Sequence, residues 1–128
     1  MTMALRVLVV LGLLGSAWVH LDLWLVGYRD IEIIGPLFLV NVIAGAVLAI
    51  AVLAWRHWLP LLAAAGFGAA TLGAFVLSVT VGLFGLRNEL FWGTEQVLAA
   101  VAELVCIVAG LGGAVLVRRV RQPSYGRG

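Results

Sequence analysis

Six polar side chains stand inside stretches otherwise built of Ala, Val, Leu, Ile and Gly: His20, Asn41, Ser78, Thr80, Gln96 and Glu103. A carboxyl group and an imidazole are the types that exchange protons or hold a cation, and Asn, Ser, Thr and Gln can complete their hydrogen bonds. In an apolar medium each such group costs free energy and needs a partner, which makes every one of them a candidate functional position. Glu103 is the centre of the set. Gln96, Ala99, Glu103, Cys106 and Gly110 follow one another at spacings of three and four, one face of a helix. A His20–Glu103 pair would form a proton-exchanging site or two ligands of a cation site, with Asn41, Ser78 and Thr80 around it. The same pair would also satisfy itself and fix the helix register, and the residue types alone leave both readings open.

Four long apolar stretches must carry these residues, at 4–26, 36–55, 61–86 and 94–117. Each is near the ~20 residues that cross a ~30 Å hydrocarbon core as a helix. The chain is 64% hydrophobic and 11% charged, with a mean hydropathy of +1.17. A soluble domain of this length could not hide that much apolar surface, so the bilayer must be the solvent. The expected fold is all-α: a membrane-embedded up-down four-helix bundle forming one transmembrane domain over residues 1–128. Its basic tail is 118–128.

The basic residues are all arginine, and their positions predict the orientation. Arg6, Arg56, Arg118, Arg119, Arg121 and Arg127 fall on one side of the spans. Arg29 and Arg87 fall on the other, beside Asp30, Glu32 and Glu89. The positive-inside bias then puts both termini in the cytoplasm of a bacterial plasma membrane. At ~1.5 Å per residue, His20 and Asn41 lie about 8–9 Å below the outer surface, Ser78 and Thr80 about 9–12 Å, and Glu103 about 12 Å. The polar groups thus share one layer in the outer half. Asp22, Glu95 and Gln96 lie nearer the interface, where Asp22 is expected to meet Arg29 or Arg87. Gly15-Ser16-Ala17 has the small residues of a signal-peptide cleavage site. The apolar pattern runs on through Val19, Leu21, Leu23 and Leu25, so a retained span is expected.

The two outer loops share a pattern. Gly27-Tyr28-Arg29-Asp30 precedes Gly35, and Gly85-Leu86-Arg87-Asn88 precedes Gly93, at a constant offset of 58 (85 − 27). The offset suggests two tandem parallel hairpins, 4–55 and 61–117, although any outer turn favours Gly, a short polar side chain and a charge. Small residues also recur at helical spacing, as Gly66, Ala70 and Ala74 in span three and Gly110 and Gly113 in span four. Such stripes let helix backbones approach within the bundle, or in a second copy or larger complex.

Several functions lack their residues. One cysteine, Cys106, makes no intrachain disulfide, CxxC pair or thiolate zinc site. There is no Ser/His/Asp set, Gly-rich phosphate loop or HExxH. His20 and His57 sit at opposite depths and cannot share a haem. No cofactor and no metal are expected, and the short arginine tail reads as a membrane anchor, with no nucleic-acid partner. The stretches His20-Leu21-Asp22-Leu23-Trp24, Gly27-Tyr28-Arg29, Ile34-Gly35-Pro36-Leu37-Phe38-Leu39-Val40-Asn41 and Leu77 to Gly85 resemble small four-span proteins of unknown function from actinobacteria. That resemblance implies a four-span bundle and no activity. The motifs of fluoride channels and small multidrug exporters are absent. The expected function is a non-catalytic structural or accessory subunit whose partners are the lipid bilayer and a second copy or larger membrane complex. The alternative is a small proton- or cation-coupled transporter or channel using Glu103 and His20.

Overall fold

In the computed structural model, residues 2–83 and 93–121 are described. They form four helices: α1 (Thr2–Val26), α2 (Ile34–Ala54), α3 (Trp58–Thr80) and α4 (Thr94–Arg121), with a 3-10 turn at Tyr28–Asp30. Each helix is long and apolar enough to cross a membrane. The chain is an integral membrane protein built as a four-helix bundle. Its outer surface is what lipid requires: Leu11, Trp18, Ile43, Ile50 and Val108 are each more than 60% exposed.

Short connections and specific residues end the helices. Gly27 at φ 145 takes a backbone conformation that a side chain would resist, and it turns the chain out of α1. α3 stops at Thr80, short of the expected Leu86. There the Gly82 N–H returns to the Leu77 carbonyl at 2.7 Å and Gly82 takes φ 90. Pro60 falls in the first turn of α3, where a missing N–H is harmless, and the His57 ring caps that helix by accepting from the Leu59 N–H at 3.1 Å. The second loop motif, with Arg87, lies outside the described residues.

α4 packs against α1 and α3, and α1 against α2, while α2 and α3 meet only lightly. Missing side chains bring the well-packed pairs together. A methyl group at Gly12 of α1 would lie 2.8 Å from the Ala102 carbonyl of α4, and one at Gly110 would lie 2.7 Å from the Leu61 carbonyl of α3. Gly113 rests on the Leu61 side chain. α3 thus meets α4 with Leu61, Ala65 and Gly68. Gly66 faces open space, Ala70 is exposed and Ala74 is half-buried.

The two ends of the bundle differ. We name them by Arg6 and by Tyr28. Toward Arg6 lies a continuous apolar core: Val9 and Leu13 of α1, Ala49 and Val52 of α2, Leu61 and Ala64 of α3, and Cys106 and Ala109 of α4. Its boundary is Arg6 itself, 4% exposed, whose Nη1 donates to the Val52 carbonyl at 2.7 Å and caps the end of α2. Toward Tyr28 the buried side chains turn polar, with Ser16, Asn41, Ser78 and Glu103. There the core gives way to a cavity.

Candidate functional site: a polar-walled cavity

The cavity has a volume of about 340 Å³ and is lined by residues of all four helices. It lies where α2 and α3 separate. Leu37 and Val40 of α2 and Ala70 of α3 line it and are also exposed, so it opens sideways between those helices. Its walls are mainly apolar and aromatic. The His20 ring meets Phe38 edge-on at 4.8 Å, and Tyr28 stacks on Phe38 at 5.1 Å.

Glu103 forms the cavity's most buried polar wall, at 1% exposure. Gly68 sets its position. A methyl group there would lie 2.6 Å from the Glu103 carbonyl, so only glycine lets α3 press on α4 at this point. Ser16 Oγ donates to Glu103 Oε1 at 3.3 Å, a long bond. The Ser16 carbonyl in turn lies 2.8 Å from His20 Nδ1. A carbonyl only accepts, so Nδ1 carries the proton, and in the neutral ring Nε2 is left as an acceptor. His20 and Glu103 therefore share Ser16 and do not meet directly. Across the cavity, Asn41 Nδ2 donates to Thr71 Oγ1 at 3.2 Å, and Thr71 Oγ1 donates to the Phe67 carbonyl at 2.8 Å. Ser78 Oγ donates to the Phe75 carbonyl at 2.7 Å.

Two buried acceptors among the described residues have no hydrogen-bond partner: Glu103 Oε2 and Asn41 Oδ1. Both belong to residues that line the cavity. Leaving such an atom unmet costs about 1–3 kcal/mol, so each calls for an explanation.

Five residues of the sequence-derived polar set, His20, Asn41, Ser78, Gln96 and Glu103, line this one cavity. Thr80 does not: it is exposed, and its hydroxyl returns to the Val76 carbonyl at 2.7 Å. Asp22 hydrogen-bonds with Glu95, a contact between two carboxyl groups that requires a proton between them. Arg29 instead lies over the Trp24 ring, 6.0 Å from its centre. Outside the spans, burial and then the Glu95 carboxylate push the Tyr28 phenol above its ordinary value. Ser16 and Thr71 carry hydrogen bonds that the sequence reading did not assign. Ser16 lies four residues before His20, and Thr71 lies two helical turns before Ser78, spacings that place each pair on one face.

Among the described residues no three His, Cys, Asp or Glu side chains converge to hold a metal ion. No family model, curated protein or solved structure matches the chain. The resemblance to actinobacterial four-span proteins therefore gains support for its four spans only.

Proposed function

We propose that this chain is a non-catalytic accessory membrane protein that holds a small lipid-phase ligand in the Tyr28 half of its bundle. The observation that carries the reading is that two residues lining one cavity, Glu103 and Asn41, each hold a buried acceptor without a partner, Oε2 and Oδ1. A polar layer serving only to fix helix register would pair them. A ligand with donors completes the set, and the apolar walls take its body. At about 340 Å³ the cavity is at the small end of the roughly 300–1,000 Å³ common among ligand pockets.

The apolar core toward Arg6 supports binding over passage, because a transported ion or proton needs polar groups that continue to the other side. The link from His20 through Ser16 to Glu103 is what favours the second reading, a proton- or cation-coupled carrier. The arginine distribution supports a bacterial plasma membrane with both termini cytoplasmic, which would put the cavity in the outer leaflet. The exposed small residues Gly66, Ala69, Ala70 and Gly73 support an accessory role, since they leave one face of α3 open to close approach by a second copy or a larger complex.

Thermal unfolding of the full chain in maltoside micelles, with and without 2-phenylethanol, tests the binding reading. The wild-type chain should be stabilised by several degrees. An Ala74→Phe variant, which fills the cavity, should gain nothing. A shift in neither protein, or an equal shift in both, overturns the reading.

A further inference from the structure

We infer that the ligand is a cationic amphiphile, an organic ammonium carried on a compact apolar body. The inference rests on the cavity being a binding site and names the chemistry it selects. Three features of the walls agree. Two acids, Glu95 and Glu103, line the cavity, and among the described residues no Arg or Lys does. The buried groups left without a partner among the described residues are both acceptors, Glu103 Oε2 and Asn41 Oδ1. An ammonium group carries up to three N–H donors and accepts nothing, so it complements these two unmet acceptors. The remaining walls offer π faces, from Tyr28, Phe38, Phe67 and Phe75, and a cation is attracted to such faces most strongly where water is excluded.

The same walls reject the alternatives. A phosphate or carboxylate would meet carboxyl groups with no Arg or Lys among the described lining residues to balance it. A bare metal ion lacks three converging ligands among the described residues. A neutral apolar molecule would leave both buried acceptors unmet. The volume limits the body to about one aromatic ring or a short chain, at the lower bound of ligand pockets. The ammonium could arrive free or as the headgroup of an ethanolamine lipid.

Titration calorimetry of the full chain in maltoside tests this with three ring-matched probes: 2-phenylethylammonium, 2-phenylethanol and 3-phenylpropanoate. The ammonium should bind at least tenfold more tightly than the alcohol, and the carboxylate should show no saturable binding. Glu103→Gln should weaken the ammonium at least tenfold and leave the alcohol unchanged. The wild-type comparison stands alone if that variant does not fold. If the alcohol binds as tightly as the ammonium, the charge selection is overturned and the binding cavity survives. If no probe binds, both fall. Displacement of the bound ammonium by dihexanoyl phosphatidylethanolamine would assign the site to a lipid headgroup, and failure to displace it would assign the site to a free amine.

Discussion

Replacing Glu103 with Leu should leave the ligand-free bundle as stable as the wild type or more so, whereas replacing Ser16 with Ala should destabilise it. Glu103 is 1% exposed and holds one long hydrogen bond, from Ser16 Oγ at 3.3 Å, while Oε2 has no partner. A side-chain hydrogen bond between membrane helices contributes about 0.6 kcal/mol on average and at most about 1.7 kcal/mol. An orphaned buried acceptor costs about 1–3 kcal/mol. Leu has a volume close to that of Glu, so Glu103→Leu loses the first quantity and removes the second, a net gain of roughly 0–2 kcal/mol. Ser16→Ala loses the same bond and leaves Oε1 unmet as well, a loss of about 1–3 kcal/mol. The two substitutions delete one hydrogen bond and move stability in opposite directions. Thermal unfolding of delipidated protein in maltoside reads the difference, at roughly 3–5 °C per kcal/mol for a chain of this size. If Glu103→Leu proves less stable than Ser16→Ala, the carboxyl is a structural keystone and the cavity is not built around an unmet acceptor.

Two neighbouring glycines of α3 should respond oppositely to alanine. Gly66→Ala meets nothing within 4 Å and should stabilise the helix by up to about 1 kcal/mol, while Gly68→Ala puts a methyl 2.6 Å from the Glu103 carbonyl and should cost about 1–3 kcal/mol in the same unfolding assay. Gly35→Ala should also destabilise, because its methyl would lie 2.6 Å from the Arg29 carbonyl, a backbone atom that yields only if the Tyr28–Asp30 turn moves off α2. The Tyr28 phenol should titrate above its ordinary value of about 10, read from phenolate absorbance against a Tyr28→Phe reference. Glu95→Gln should lower that midpoint but not to the ordinary value, since burial remains as the larger cause. A raised folded value favours the neutral phenol, so its contribution to stability is whole below the unfolded pKa and is lost as pH rises through the folded one.

Position along each helix was legible in the sequence, and direction was not. The length of an apolar run sets a span, and a fixed rise per residue sets how far along it each polar side chain lies, which is why residues from four separate helices could be assigned to one layer. Which way a side chain faces depends on the helix's rotation, and a helix that is apolar on all sides gives no sign of it. Thr80 shares its depth with Ser78 but stands two residues on, about 200° around the helix, and so points away from the cavity. α3 has the same difficulty: Ala64, Gly68 and Gly66, Ala70 are both small-residue stripes, and only the approach of α4 decides between them. Ser16 reads as a packing residue until the carboxyl of Glu103 is seen beside it. Of the two partners expected for Asp22, Arg29 finds the Trp24 ring while Asp22 meets Glu95, and Arg87 lies outside the described residues.

The central claim is that the bundle is open on the cavity wall and closed two helical turns further along the same face. Ala99 lines the cavity, and Cys106, on the same face of α4, is 0% exposed within the apolar core. An Ala99→Cys variant therefore carries its own control. Timed labelling with N-ethylmaleimide in maltoside, mapped by peptide mass, should modify the thiol introduced at position 99 while Cys106 stays unmodified, and 2-phenylethylammonium should slow the reaction. Labelling at position 99 no faster than at Cys106 would contradict the account, because the cavity would then be closed to any ligand.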